Sequence, residues 1–182
     1  MITKEDFKSH RIINTNDDDE IIDILIDAVE EFIKSYVGRV IEKETITEYF
    51  DGDDLADTIF LANYPVVALT SLQYNRGTYS DPDWQDINAD YYQLDDDIGE
   101  ILIDVMYSGR RNIKAVYEAG YVEDDIPKSL KAAALKLVTK LYDKRSSEGF
   151  SIEEVAGARI EWGKFLSDDV KALLAANIKP KL

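Results

Sequence analysis

The hydrophobic period of this chain changes twice, from about 3.6 residues to 2 and back, so no single kind of layer can bury all of its apolar surface. In the first zone Ile22, Leu25, Ile26, Val29, Phe32, Ile33, Tyr36 and Val37 recur on one helical face and stop at Gly38. The preceding "NTNDDDE" offers Asn16 or Asp17 as an N-cap, with acids beside the positive end of the helix dipole. This predicts a helix over 17–37, about 30 Å long. Upstream, "TKED" predicts a short helix capped by Thr3, which would carry His10.

From 44 to 122 the strings "TITEYF", "DTIFLAN", "VVALTSLQY", "DYYQL", "GEILIDV" and "NIKAVYEAGY" are short and rich in β-branched and aromatic residues. They are separated by "DGDD", "NYP", "NRGTYSDPD", "DDDIG" and "SGRRN", the pattern of antiparallel strands joined by tight turns. Helical spacing then returns. Pro127 suits a first helical position, and Leu130, Ala133, Ala134, Leu137, Val138 and Leu141 form a narrow seam that lets a second helix approach the first closely. After the polar break "DKRSSEG" the remainder is apolar enough to dock on something, with a short amphipathic helix around Val170, Leu173 and Leu174. The fold class expected is α+β: mainly a helical bundle, its long N-terminal helix packed on a helix of the C-terminal half, with an antiparallel β region inserted at about 44–122. Residues 1–148 would be the helical core with its insertion, and 149–182 a C-terminal docking segment of the same domain.

Charge and composition narrow the function. Lys and Arg number 21 against 37 Asp and Glu, for a formal net charge of -16. A broad basic surface for nucleic acid is therefore excluded, since phosphate binding relies on cationic side chains displacing counterions. With no cysteine and one histidine, His10, disulfides, thiolate catalysis, cysteine-ligated zinc and multi-histidine metal sites are excluded together. No apolar run approaches the ~20 residues of a membrane span, and "MITKEDFKSH" lacks the regions of a signal peptide. A soluble protein made in a cytoplasm is expected, with no membrane partner.

The densest candidate for chemistry is "LDDDIGEILI", residues 94–103. A calcium loop of the EF-hand kind needs oxygen ligands at alternate positions, glycine at the sixth, glutamate at the twelfth and flanking helices. Here Asp95, Asp96 and Asp97 are consecutive and the flanks read as strand, where neighbouring side chains point to opposite faces. The stronger reading is a hairpin turn in which Ile98 and Gly99 reverse the chain and the aspartates stay in water. A nucleophile elbow, a Walker loop and a dinucleotide fingerprint are all missing from the sequence. No catalytic residue, cofactor or metal is assigned.

Taken together, "DDDEIIDILIDAVEEFIKSYVGR" with "TITEYFDGD", "LANYPVVALTSLQY", "IGEILI", "VYEAGYVEDDIPKSLKAAALKLVTKLY" and "GARIEWGKFLSDDVKALL" resemble the head-tail connector (adaptor, or head completion) proteins of tailed bacteriophages over nearly the whole chain. The resemblance implies a structural virion protein, not an enzyme. It would form a ring of twelve subunits below the portal, connect head to tail or stopper, and extend the channel for the DNA. The implied partners are the portal protein, a stopper or tail-completion protein and further copies of the chain. Viral double-stranded DNA would pass without specific binding. The implied location is the head-tail interface of the virion, and the host cytoplasm during assembly. The apolar residues of the last segment, Ile160, Trp162, Phe165, Leu166, Leu173 and Leu174, are the candidates for portal or partner docking. A second class stays open at this point: an acidic DNA mimic or small acidic binding protein, which would also carry a charge near -16 but leaves Trp162 and Phe165 without a purpose.

Overall fold

The computed structural model describes residues 1–52, 57–104, 107–148 and 166–178, with only the helical backbone at 145–148. The chain divides into two compact units, one of Met1–Arg39 with Asp125–Leu182 and the other of Val40–Asp124.

The first unit holds four helices among the described residues: α1 (Lys4–Arg11), α2 (Asp19–Val37), α3 (Lys128–Glu148) and α4 (Asp168–Ala175). The Thr3 hydroxyl accepts from the Asp6 amide at 3.1 Å, while the Asp6 carboxylate accepts from the Thr3 amide at 2.9 Å, a reciprocal cap at the start of α1. The cap of α2 is Asp18, not Asn16 or Asp17, and its carboxylate accepts from the Tyr142 hydroxyl at 2.5 Å instead of closing the helix end. Gly38 ends α2 at φ 77°, where a side chain would be strained. Pro127 stands one position before the expected one, its carbonyl accepting from the Leu130 and Lys131 amides.

The stripe from Ile22 to Val37 is buried at Ile22, Leu25, Ile26, Val29, Ile33 and Val37, and α2 packs on α3. On α3, Leu130, Ala133, Ala134, Leu137 and Val138 are fully or almost fully buried, as the alanine-rich seam requires. Phe7 of α1 is also fully buried and meets the Tyr142 ring edge-on at 5.2 Å. The α4 helix adds buried Val170 and Leu174 and packs on α3.

The second unit has seven strands among the described residues, in two antiparallel sheets. The strands are β1 (Glu44–Phe50), β2 (Thr58–Phe60), β3 (Val66–Asn75), β4 (Trp84–Asp86), β5 (Tyr92–Asp95), β6 (Glu100–Ile103) and β7 (Ile113–Ala119). One sheet runs β1-β7-β3-β4 and the other β2-β6-β5. On β7 the alternation is complete, with Ile113, Ala115, Tyr117 and Ala119 buried. They share one core with Leu72 and Val66 of β3 and with Ile59, Ile101 and Ile103 of the other sheet. Gly120, just past β7, has φ 103°, and a Cβ there would stand 2.6 Å from the Glu42 carbonyl oxygen, which reserves the position for glycine.

This corrects the expected fold class. The chain is not mainly a helical bundle with a β insertion: the strands form two antiparallel sheets with a hydrophobic core of their own. The physical reason lies in the alternating strands, whose inward side chains from two sheets suffice to bury one another. One further element, β4, is not among the expected strands, because three residues beside turn formers carry no readable period.

Candidate functional site

The C-terminal candidates separate by burial. Leu174 is fully buried and Leu173 and Leu166 are half-buried, while Ile160, Trp162 and Phe165 lie outside the described residues. The α4 helix is fixed to α3 by Lys136, whose ammonium lies 2.6 Å from the Asp169 carboxylate, and by Lys140, which reaches the Ser167 hydroxyl at 2.5 Å. The Lys136 and Ser167 hydrogen bonds hold the Asp169 carboxyl well below the usual carboxylate range. The Asn177 amide, just beyond α4, donates to the Ser129 hydroxyl at 3.1 Å, and its carbonyl accepts from the buried Arg39 guanidinium at 3.1 Å. Leu174 therefore anchors α4 within its own unit.

The acidic segment forms the turn between β5 and β6, with Gly99 at φ 70° and its amide bonded to the Asp95 carbonyl at 2.9 Å. The expectation that the carboxylates diverge fails. Strand alternation ends at Asp95, and the turn gathers Asp95, Asp96 and Asp97 so that one oxygen of each lies within 4.8 Å of the others. All three remain exposed, so convergence alone does not make a metal centre.

Sequence reasoning missed a groove of about 460 Å³ at the other end of β3, lined by Tyr49, Trp84, Tyr79, Arg110, Arg111 and Asn112 among others. Two asparagines build it. The Asn75 side-chain oxygen accepts from the Gly77 and Asp83 amides at 2.9 and 2.8 Å, closing the loop between β3 and β4. The Asn112 side chain accepts from the Gly52 amide at 2.9 Å and donates to the Tyr107 and Ser108 carbonyls at 2.9 and 3.0 Å. The Asn75 amide donates to the Asn112 carbonyl at 2.8 Å, so pairing of β3 with β7 brings the two loops together. Cations then stack on the aromatic faces: the Arg111 guanidinium lies 5.1 Å from the Tyr49 ring centre and the Lys114 ammonium 4.6 Å from that of Trp84.

A third feature is a half-buried polar network around the fully buried Tyr117. The Tyr117 hydroxyl donates to the Glu48 carboxylate at 2.8 Å, and the other Glu48 oxygen accepts from the Ala62 amide at 3.0 Å. Asn63 completes it, donating to Glu48 at 3.3 Å and accepting from the Val40 amide at 2.9 Å. Burial, reinforced by the Glu48 carboxylate, pushes the Tyr117 phenol far above its ordinary value. With every group satisfied, the network locks β1, β7 and the segment after β2 in register, a structural task.

Comparison with known proteins places this architecture. A family model described as head completion protein matches residues 1–159, and the chain belongs to that family of bacteriophage structural proteins. No curated protein matches the chain. Among solved structures it is similar to a chain from the neck of an empty GTA particle computed with C6 symmetry, at TM-score 0.67 and 16% identity, covering 100% of this chain and 91% of that one. A chain from the virion of a native gene transfer agent (GTA) particle gives the same values. A chain from the neck of a native GTA particle computed with C12 symmetry matches at TM-score 0.59 and 16% identity, covering 89% of this chain and 84% of that one. At that identity the likeness speaks for the fold. No helix among the described residues is long and apolar enough to cross a membrane.

Proposed function

We propose that the chain is a head-tail connector: a structural, non-catalytic virion protein that assembles as a ring of twelve below the portal, joins the head to a stopper or tail protein and extends the DNA channel. The observation that carries this reading is the family match over 1–159, and the likeness of the whole fold to chains of GTA particles, including their necks, supports it. Symmetries of C6 and C12 in those necks are both compatible with a ring of twelve.

The electrostatics agree. A channel wall built from copies of charge -16 repels DNA at close range and gives its phosphates little to adhere to. Screening over about 8 Å at physiological salt confines that repulsion to the wall, so DNA passes without being held. Docking on the portal falls to residues 149–182, through Ile160, Trp162, Phe165, Leu166 and Leu173, with Leu174 holding α4 from within. Aromatic anchors of this kind dominate interface energetics. The site of action is the virion's head-tail interface, reached from the host cytoplasm during assembly.

Two measurements test this. Native mass spectrometry of the chain with the portal protein should show a cyclic complex. Particles made without the chain should be filled heads that fail to join tails. Normal tailed, infectious particles in its absence would overturn the assignment.

A further inference from the structure

Positive charge is distributed very unevenly in the unit of Val40–Asp124. Its five basic residues are Lys43, Arg76, Arg110, Arg111 and Lys114, against a several-fold excess of acids. Lys43 is paired with Glu118 at 2.8 Å. The other four belong to the groove: Arg110 and Arg111 line it, Arg76 stands between its lining residues Asn75 and Gly77, and Lys114 covers its Trp84. Arg76, Arg110 and Arg111 are exposed, and among the described residues no carboxylate pairs with any of their guanidiniums. Tyr79 projects from the rim at 92% exposure.

We propose that this groove receives the acidic turn of a second copy of this chain, Asp95, Asp96 and Asp97, in a head-to-tail contact. Three observations select that occupant. The turn already gathers its carboxylates within 4.8 Å, they are exposed, and among the described residues no basic side chain pairs with them. Arginine forks match carboxylates bidentately, and a groove of about 460 Å³ takes the few side chains of a projecting turn. The two surfaces also lie at opposite ends of one strand: the Val66 amide that begins β3 donates to the Asp96 carbonyl at 2.8 Å, while Asn75 at its end lines the groove. Ten residues of strand separate them by about 30 Å.

Complementary patches on opposite ends of one unit cannot meet within a molecule. They pair between molecules, and such a heterologous contact closes into a ring when its rotation permits. For closure the proposal rests on the connector reading; the contact itself follows from charge and position. It also answers the repulsion between copies of charge -16, because short-range pairs of arginine and aspartate outlast a net repulsion that salt screens beyond about 8 Å.

The chain has no cysteine, so introduced cysteines report alone. With Tyr79→Cys in the groove and Ile98→Cys in the turn, mild oxidation of the full chain should give a ladder of cross-linked copies. Either substitution alone should stop at dimers. Adding Arg110→Glu with Arg111→Glu, or Arg76→Glu in the facing loop, should lower ladder yield about tenfold. Mixing the Arg110→Glu/Arg111→Glu chain with one carrying Asp95→Lys, Asp96→Lys and Asp97→Lys should restore it through alternating copies. No ladder, or one indifferent to charge reversal, overturns the contact. If the chain nevertheless joins the portal in a cyclic complex, the connector reading survives that failure; if it does not, both fall. A labelled DNA duplex that binds the chain only while Arg110 and Arg111 are intact, with the ladder unchanged by their reversal, would assign the groove to phosphate instead.

Discussion

The helical unit packs α2 on α3 through an apolar seam and keeps its buried polar pair, Arg39 and Asn177, beyond the end of α4, whereas the β unit ties a fully buried phenol to a half-buried carboxylate and amide among its strands. Where α2 packs on α3, Val29 and Ile33 are buried on the first helix and Ala134 and Leu137 on the second. In the β unit Glu48, Tyr117 and Asn63 sit among strands that otherwise bury isoleucine and leucine. The contrast separates two ways of specifying structure. An apolar seam supplies burial and tolerates small shifts; a satisfied polar network supplies less net stability but fixes which strand residues face each other.

The largest effect should come from removing apolar volume. Leu137→Ala leaves a cavity in a fully buried seam and should cost about 2 to 5 kcal/mol. Urea unfolding followed by circular dichroism at 222 nm reads the helical unit, and loss of a few tenths only would mean that α2 and α3 close the gap. Ala134 facing the same seam leaves little side chain to rearrange, so collapse is not expected.

Glu48→Ala tests the other half of the comparison. It leaves the Tyr117 hydroxyl and the Ala62 amide without their acceptor, at a cost of about 1 to 3 kcal/mol. Tyr117→Phe should cost less, because Glu48 keeps Ala62 and Asn63 as donors. A double-mutant cycle in urea then gives the coupling of the pair. Additive effects would show that the network is not a unit and would remove the contrast between the two cores.

How much was legible in the sequence follows the same division. Periodicity located α2 and α3 because an apolar stripe at Ile22, Leu25, Ile26 and Val29 has one physical meaning. The strands other than β4 were also located to within a few residues, but their self-sufficiency was not: nothing in "NIKAVYEAGY" alone says that Ile113, Ala115 and Tyr117 meet a second sheet. The groove was invisible because its loops, near Asn75 and Asn112, become neighbours only through pairing of β3 with β7. The convergence of Asp95, Asp96 and Asp97 was misjudged by extending strand alternation from Asp95 to Asp96 and Asp97, which belong to a turn. The Trp162 and Phe165 segment, legible as apolar, lies outside the described residues.

The smallest effect is electrostatic and belongs to the edge of the helical seam. Asp169 holds its proton less tightly in the folded chain than in the unfolded one, since Lys136 and Ser167 favour the carboxylate. Its contribution is therefore complete above the ordinary carboxylate pKa near ~4 and is lost as pH falls through the lowered folded value. Both partners are about half exposed, so salt screens the pair and the effect on global stability is slight. The sensitive readout is local: the carboxyl carbon of Asp169, followed by NMR, should titrate below the ordinary range and move up toward it in Lys136→Met. Amide exchange in α4 should quicken below about pH 4 in the native chain, while Asp169→Asn, lacking the ion pair at every pH, should show no such step. An unchanged Asp169 titration in Lys136→Met would mean that the hydrogen bonds from Ser167 and the Val170 amide depress it, and that the Lys136–Asp169 pair contributes nothing to holding α4 on α3.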